Sequence, residues 1–271
     1  MVRWFALVLA MLAFAMPASA QTKLSDRQLH GIKGADQRLA MEPAAFPWSA
    51  MGRVNFGIGH CSGTLIGPKL VATAAHCLWN RRTQRPMPAS AYTFVAGFDR
   101  GEYLKASKVV ALHPAPGWQF GDDRQASNSR ADDWALMELE DPVGDEIGWI
   151  ALAEPKTGMT IGVAGYGRDR AFVPLAHLGC RLLEQPRPGV FYHDCDAVQG
   201  ESGGPVFAWV GDQIRLVAIN VAVIPSKGEM GVAASVGGLK STAMALGAAS
   251  STRAGPLSRP SGLDLGASLG R

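Results

Sequence analysis

The sequence lacks the long amphipathic periodicity of a helical protein, and only Gly238–Ala248 has the pattern of a short helix. An all-α fold is therefore excluded. It also lacks a strong charge of either sign. The formal net charge is +3 over 271 residues, and the surplus lies in the two terminal segments, so neither a nucleic acid nor an anionic membrane is expected as a partner. The histidines and acids show no metal-ligand spacing, so no metal and no cofactor is predicted.

The chain has no apolar run long enough to serve as a stable membrane anchor. Residues 1–20 instead have the parts of a secretory signal peptide. Arg3 is the charged start, Trp4–Met16 is the apolar run, and Ala18-Ser19-Ala20 is the cleavage site. We therefore predict export, to the periplasm or the cell exterior. An uncleaved anchor is the alternative, which the short run disfavours.

Cysteine is scarce, with four residues in the chain. In an exported protein, four cysteines indicate disulfides. They allow three connectivities, among which the sequence alone does not choose. Proximity along the chain favours one bond in each half, Cys61–Cys77 and Cys180–Cys195. Free buried thiols are the weaker alternative outside the cytosol.

The sequence does contain many short apolar runs broken by Gly, Pro and Asn, a pattern typical of an all-β barrel or sandwich. Residues 46–145 and 146–240 each hold one set of these runs. Residues 21–45 are polar, and a short propeptide ending near residue 31 would lie within them. Residues 241–271 are predicted to form a short helix and then a disordered tail, because their Ser/Gly/Pro/Ala-rich composition buries little apolar surface.

The stretch that carries chemistry is Gln199–Pro205, with the letters QGESGGP around Ser202. Glycine on both sides lets the backbone turn tightly. The serine can then act as a nucleophile, and the N–H groups of Gly200 and Ser202 can act together as an oxyanion hole. The letters GESGG also fit the nucleophile elbow of α/β-hydrolases. That fold needs an acid and then a histidine after its serine, whereas the last histidine here is His193, so chain order argues against an esterase or lipase.

A serine nucleophile needs an oriented base, and two upstream blocks supply the candidates, Thr73–Cys77 (TAAHC) and Asp133–Leu136 (DWAL). With these blocks and the serine block in this order, the chain resembles the trypsin-like (chymotrypsin-fold) serine proteases. The resemblance implies an all-β fold of two packed six-stranded antiparallel β-barrels, with the active site in the groove between them. The first barrel would carry His76 and Asp133, and the second would carry Ser202.

A finer resemblance is to bacterial secreted proteases, including the V8-like group, and it extends over roughly residues 31–240. It rests on four further stretches: Gly34–Arg38, Pro47-Trp48, Gly165–Arg170 and His193–Asp196. The resemblance also supports the first of the two disulfides, which would fix the loop that carries the candidate base.

The resemblance assigns the catalytic roles. Ser202 would be the nucleophile, His76 the general base, and Asp133 the acid that orients the imidazole and offsets its charge. Asp132 is the rival of Asp133, since a one-residue slip would exchange their directions. Asp133 is preferred because it directly precedes an apolar run. His60 is the rival of His76, but it lies next to Cys61 and lacks the matching sequence context. His113 and His177 are predicted to lie in loops, and His193 on the surface.

A fainter similarity concerns activation. Gly31-Ile32 looks like the N-terminus released when trypsin-like zymogens are cut, whose ammonium pairs with the acid just before the nucleophile. Here that acid would be Glu201, where the trypsin pattern has Asp, and the extra methylene shifts the carboxylate. Two alternatives stay open: cleavage near residue 31, or an enzyme that needs no cut after its leader is removed.

Substrate preference depends on Asp196, which has the spacing from the serine at which trypsin places the acid of its primary pocket. Such an acid would select Arg or Lys at P1, the residue before the scissile bond. Gly231 would wall that pocket, while Asn220 and Ala222 would bind the substrate backbone. In the alternative, Asp196 pairs with Arg181 in a structural role and the P1 preference is for small or neutral residues. A Glu preference is not expected, because no histidine follows the serine.

We therefore predict a monomeric, exported serine endopeptidase that hydrolyses protein or peptide substrates through an acyl-enzyme. The alternative on the same fold is a catalytically silent binding protein. Such a protein would normally have lost one of the three catalytic residues, and His76, Asp133 and Ser202 are all present.

Overall fold

The computed structural model describes residues 29–57, 59–121, 129–261 and 265–269. The predicted signal peptide, residues 1–20, lies outside the described residues. Antiparallel strands dominate the described part, as the short apolar runs predicted, and the helices are short. None of these helices is long and apolar enough to cross a membrane.

The first half is a closed β-barrel. Its residues, and the segments before and between them, form β1 (Leu39–Ala40), β2 (Met51–Phe56), β3 (Gly59–Leu65), β4 (Leu70–Thr73), β5 (Trp79–Asn80), β6 (Arg85–Pro86), β7 (Tyr92–Ala96), β8 (Lys105–Pro114) and β9 (Ala135–Leu139). The barrel has the order β2-β3-β4-β9-β8-β7. Between β4 and β7, strands β5 and β6 pair only with each other, while β1 joins the sheet of the second half.

The second half is an antiparallel row of strands that also closes. Its elements are α1 (Val143–Ile147), β10 (Gly148–Trp149), β11 (Thr160–Gly165), β12 (Leu175–Arg181), β13 (Val190–His193), β14 (Pro205–Val210), β15 (Gln213–Ile224), β16 (Met230–Ser235), α2 (Lys240–Ala245), β17 (Arg253–Ala254) and α3 (Leu265–Ser268). The order is β1-β12-β11-β14-β15-β16-β13. Just past β12, Leu182 forms an antiparallel bridge with His193 of β13, which joins the two sides of this row. The predicted all-β, chymotrypsin-like fold is confirmed, with a closed six-stranded first barrel and a seven-stranded second sheet that includes β1.

Short 3-10 helices fill several connections. They span Trp48–Ala50, Ala75–Leu78, Ala89–Ala91, Arg130–Asp132, Arg168–Arg170 and Pro225–Lys227. The second and fourth of these flank β4 and β9, which pair directly in the first barrel. His76 and Asp133, which are far apart in sequence, therefore lie at the same end of two adjacent strands.

One buried apolar cluster spans the two halves, and a second lies within the second half. Apolar residues of both barrels belong to the same buried cluster, including Phe94 and Leu136 from the first and Phe207 and Leu216 from the second. Trp48, just before β2, contacts Phe207 of β14 edge to face, with ring centroids 5.4 Å apart. Burying such large side chains stabilises the fold by about 2 kcal/mol each or more, so the barrels are held together by packing as well as by the chain.

The prediction of a disordered C-terminal tail is wrong for its described residues. Strand β17 pairs with β10, and Arg259 forms a bridge with Ala45. Leu265 and Leu269 are buried, and the indole N–H of Trp209 donates to the carbonyl of Leu265 at 2.8 Å. The composition indicated disorder because it offers few apolar side chains, but here backbone hydrogen bonds and two leucines attach the segment to the barrels.

Candidate active site

A cleft of about 1070 Å³ is lined by residues of both barrels. His76 and Asp133 line it from the first half, and Ser202 lines it from the second. Asn220 and Ala222, which were predicted to bind substrate backbone, also line this cleft. The structure therefore brings the three predicted catalytic residues, separated by 57 residues or more in sequence, into one concave surface.

His76 and Asp133 form a close pair. The ring Nδ1 of His76 lies 2.8 Å from Oδ2 and 3.1 Å from Oδ1 of the carboxylate. The backbone N–H of His76 donates to Oδ1 at 2.9 Å. Because an ionised carboxylate only accepts, Nδ1 carries the proton and Nε2 of the neutral ring is left as the basic nitrogen. Asp133 is buried, so this geometry is fixed.

The local chain explains why this acid, and not its neighbour, meets the ring. Asp133 follows the 3-10 helix Arg130–Asp132 and directly precedes Trp134 and β9. The carboxylate of Asp132 instead lies against the backbone of Gly117. The structure thus supports the register that was preferred from the sequence.

Both predicted disulfides are present, Cys61–Cys77 and Cys180–Cys195. The first links β3 to the residue that follows His76, and so restrains the loop of the candidate base. The two sulfur atoms and the imidazole lie close enough to suggest a metal site. As a disulfide, however, the cysteines offer no thiolate, which is the form that binds metals.

The turn at Ser202 is bonded to both halves of the chain. The carbonyl of Ser202 accepts the N–H of Ser62 at 2.8 Å, and the N–H of Gly203 donates to the carbonyl of Asn220 at 2.8 Å. Gly203 has a φ of +82°, and a Cβ there would collide with the side chain of Thr73. The serine turn therefore packs directly on the chain that leads into the candidate base.

Gly200 makes the sharpest approach in this turn. Its φ is +103°, and a Cβ would lie 2.6 Å from the carbonyl oxygen of Tyr166, 2.8 Å from the nitrogen of Arg168 and 3.0 Å from Nε2 of His60. Within the described part of the chain, no protein acceptor takes the N–H of Gly200 or of Ser202. Both donors are therefore available to an oxygen of a bound substrate.

His60 supports this turn. It is buried, its Nδ1 lies 3.0 Å from Nη2 of Arg53, and its Nε2 lies 2.9 Å from the carbonyl oxygen of Tyr166. Because a guanidinium only donates, Nδ1 accepts and Nε2 donates. Burial, together with the charge of Arg53, lowers the pKa of His60, which keeps the ring neutral. No sequence pattern indicated this supporting role.

Asp196 does not lie where the trypsin spacing predicted. Its carboxylate accepts the backbone N–H groups of Lys33 at 2.8 Å and Gln37 at 2.9 Å, and it is buried away from the cleft lining. Its backbone N–H donates to Nδ1 of His177. The backbone N–H of Arg181, the alternative partner, donates to Asp194 instead, and its guanidinium donates to Gly158 and Thr160. Asp196 thus fastens the N-terminal segment, which is a structural role as in the sequence alternative, but with partners other than Arg181.

Gly231 is also absent from the cleft lining. The ring of His193, which was expected on the surface, is fully buried and packs against the α-carbon of Gly231. Its Nε2 lies 3.3 Å from Oδ1 of Asn220. Burial lowers the pKa of His193 to about 4, so the ring is neutral. The prediction failed because His193 ends β13, whose inward side chains fill the barrel.

The charge of the cleft is predominantly positive. The described residues that line it include four arginines and a single carboxylate, that of Asp133: the arginines are Arg81, Arg82, Arg130 and Arg168. The apolar lining includes Phe56, Trp79, Met87, Val198 and Val221–Val223. A site with this lining favours substrates that bring negative charge or none.

A pair of β-barrels with a serine, a histidine and an aspartate in a shared cleft is the architecture of the chymotrypsin-fold hydrolases. The chain belongs to the trypsin family: the family model described as Trypsin matches residues 38–241, which is most of the sequence.

Individual relatives are distant. The chain is 28% identical to the glutamyl endopeptidase of Bacillus licheniformis over 185 residues, covering 66% of this chain and 55% of that protein. It is 28% identical to the trypsin-like protease of Streptomyces glaucescens over 226 residues, covering 74% and 78%, and 26% identical to serine protease 23 of Mus musculus over 204 residues, covering 67% and 51%. The chain thus spans about half the length of the first and third of these relatives.

A solved structure described as "Structure of Glu endopeptidase in complex with MPD" has the same fold. It superimposes with a TM-score of 0.65 at 18% identity, covering 77% of this chain and 97% of that one. At this identity the likeness bears on the fold alone. The predicted similarity to bacterial proteases of the V8-like group is confirmed by these comparisons.

Proposed function

We propose that the protein is an exported serine endopeptidase in which Ser202, His76 and Asp133 form the catalytic triad. The observation that carries this proposal is the 2.8 Å contact between Nδ1 of His76 and Asp133 in the cleft that Ser202 also lines. Membership of the trypsin family supports the reaction class. Two disulfides accord with an oxidising compartment, which supports export.

The reaction that we propose is acyl transfer. Nε2 of His76 takes the proton of Ser202 as its Oγ bonds to the scissile carbonyl carbon, and the carbonyl oxygen becomes an oxyanion held by the N–H groups of Gly200 and Ser202. Asp133 stabilises the imidazolium. The carbon–nitrogen bond then breaks, and Nε2 gives its proton to the leaving amine. A water molecule repeats the sequence on the acyl-serine ester, releasing the acid and free Ser202.

A fluorophosphonate probe tests this proposal, because it reacts only with an activated serine. The purified protein is incubated with the probe beside Ser202→Ala and Ser129→Ala; Ser129 lies outside the cleft lining. We expect labelling and peptide hydrolysis by the wild type and by Ser129→Ala, and neither by Ser202→Ala. A folded wild type that is never labelled would leave the catalytically silent binding protein as the better interpretation.

We further propose a preference for peptides with acidic residues near the scissile bond, in place of the Arg/Lys preference. Asp196 is bound to backbone N–H groups and cannot serve as the base of a cationic pocket. Arg82 and Arg168 line the cleft and would attract carboxylates. The relative named glutamyl endopeptidase, at 28% identity, supports an acidic residue at P1.

A peptide library that varies P1 tests this preference. We expect the highest kcat/KM for Glu or Asp, a lower value for Ala or Val, and the lowest for Lys or Arg. Replacing Arg168 by Gln should lower kcat/KM for acidic peptides by about 10-fold, the effect of roughly one lost ion pair in a cleft, and should leave neutral peptides unaffected. If the wild type and Arg168→Gln have the same P1 selectivity, or if Val or Ala at P1 gives the highest kcat/KM, the apolar lining and not the arginines determines the substrate preference.

A further inference from the structure

A buried cluster of charges lies next to the catalytic turn. The guanidinium of Arg38, whose side chain is 1% exposed, donates to three carboxylates. Its Nη1 is 2.6 Å from Glu201 Oε1, and its Nη2 is 2.7 Å from Asp169 Oδ2. Asp36 accepts from both Nη2, at 2.9 Å, and Nε, at 3.0 Å. All three guanidinium nitrogens are therefore engaged, which is a far denser set of bonds than a surface ion pair makes.

Glu201 connects this cluster to the reacting residues. It directly precedes Ser202, its side chain is 1% exposed, and its second carboxylate oxygen accepts the N–H of Val198 at 3.2 Å. Its backbone N–H donates to the carbonyl of Val198 at 3.1 Å, and its carbonyl accepts the N–H of Gly204 at 3.0 Å. The position of this one carboxylate thus sets the path of the turn that contains Gly200.

Arg38 is itself held by the fold. It directly precedes β1, which pairs with β12. On its other side, the N–H of Gln37 donates to Asp196 at 2.9 Å. Two backbone attachments therefore bring the guanidinium to Glu201, and the interaction requires no free end of the chain.

We propose that Arg38 is a positioning residue whose guanidinium holds Glu201, and through it the Gly200–Ser202 turn, in the catalytic conformation. It does so where the resemblance to trypsin-like zymogens implies a released N-terminal ammonium. The inference rests on the proposed protease function. It also chooses between the two alternatives that the sequence left open: the catalytic conformation does not depend on cleavage near residue 31.

The electrostatics fit a permanent cation at this point. Burial raises the pKa of Glu201 to about 7, and Arg38 opposes this rise. Without Arg38, a buried carboxylate would be left uncompensated, which is strongly unfavourable. A guanidinium stays charged throughout the working pH range, whereas an α-ammonium titrates near pH ~8. Activity of the wild type should therefore not fall at alkaline pH through loss of this pair.

The first experiment makes this cation titratable. Arg38→Lys puts an ammonium, with an ordinary pKa of about 10.4, at the same place. Arg170→Lys is the matched control, because Arg170 contacts Asp36 but not Glu201. We expect kcat of Arg38→Lys to fall reversibly between roughly pH 9 and 11, with no such fall in the wild type or the control. An alkaline profile of Arg38→Lys that matches the wild type would overturn the proposal.

The second experiment removes the cation. We expect Arg38→Met to lose kcat on the order of 10²-fold, the loss typical of a misplaced oxyanion donor, while KM changes little. Adding Glu201→Gln to Arg38→Met removes the uncompensated buried charge. The double variant should therefore regain more of the folding than of the kcat. Because Arg38→Met can fail to fold, circular dichroism is recorded for each variant, and the pH profile of Arg38→Lys decides if it does. Full activity in folded Arg38→Met would refute the role.

The third experiment concerns processing. Chains that begin at Gln21 are prepared with and without an extension before that residue, and mass spectrometry confirms that residues 21–31 remain. We expect equal fluorophosphonate labelling rates and equal kcat. Labelling that requires removal of these residues would refute the inference and leave the proposed function intact. Absence of labelling in both uncut and cut protein would refute the proposed function itself.

Discussion

Replacing Gly200 by Ala tests the geometry of the oxyanion turn most directly. The added methyl would lie within 3.0 Å of three atoms, from Tyr166, Arg168 and His60. The Tyr166 oxygen is hydrogen bonded to His60 at 2.9 Å, and the Arg168 nitrogen donates to the carbonyl of Gln199 at 2.7 Å. Neither can withdraw without losing a hydrogen bond, so the turn itself must shift.

The magnitude follows from two terms. A non-glycine residue at a φ of +103° costs about 1–3 kcal/mol of backbone strain, and loss of one supporting hydrogen bond costs about 1 kcal/mol more. We therefore expect Gly200→Ala to lower the free energy of unfolding by about 2–4 kcal/mol. A displaced turn also moves the N–H donors of Gly200 and Ser202, so kcat should fall about 10²–10³-fold with little change in KM.

Gly211→Ala is the matched control. Gly211 also has a positive φ, +64°, but a Cβ there meets no atom within 4 Å. We expect a stability loss of about 1 kcal/mol and an unchanged kcat. Urea denaturation and steady-state hydrolysis of one peptide measure both effects. If the two variants lose the same small amount of activity, the N–H groups of this turn are not the oxyanion donors.

Three further changes have defined outcomes. Asp133→Asn presents an amide N–H to Nδ1 of His76, so kcat should fall about 10⁴-fold at neutral pH while the fold is retained; a loss below 10-fold would exclude Asp133 as the orienting acid. His193 has a pKa of about 4 in the folded state and about 6.5 unfolded. The unfolded state thus binds the proton first, and the free energy of unfolding should fall by up to about 3 kcal/mol as pH drops from 6.5 to 4. Denaturation of His193→Gln should lack this component, and an identical pH slope would contradict it. Asp196→Asn should lower the free energy of unfolding by about 1–3 kcal/mol, since an amide cannot accept two N–H groups equally well, and leave P1 selectivity unchanged. A changed P1 profile would return Asp196 to the substrate pocket.

The candidate catalytic residues could be predicted because the chemistry itself restricts them. A serine between glycines, a histidine beside a disulfide cysteine and an aspartate before an apolar run are local patterns, and their chain order excluded the rival hydrolase fold. The short apolar runs predicted an all-β barrel or sandwich, and the resemblance to trypsin-like proteases implied the two barrels. The disulfides followed from proximity, since each cysteine has a partner 15 or 16 residues away.

The supporting residues could not be predicted, because long-range packing determines their roles. Arg38 and Glu201 are 163 positions apart, and a lone arginine in a polar segment has the pattern of a surface residue. The similarity of Gly34–Arg38 to bacterial relatives was the signal that marked it. Asp196 had the right spacing for a pocket acid, but the N-terminal segment binds its carboxylate. Spacing along the chain does not report such a competing partner.

The contacts of the segment that follows α2 matter for anyone who engineers this protein. Ala249 donates its N–H to the carbonyl of Ile66 in the first half, and the hydroxyl of Thr252 donates to the carbonyl of Ile214 in the second. A segment whose composition predicts a dispensable linker therefore connects the two barrels through hydrogen bonds. Deleting this segment to aid crystallisation, or inserting a reporter within it, would remove these contacts between the barrels. Low sequence complexity alone therefore does not show where a protein can be truncated.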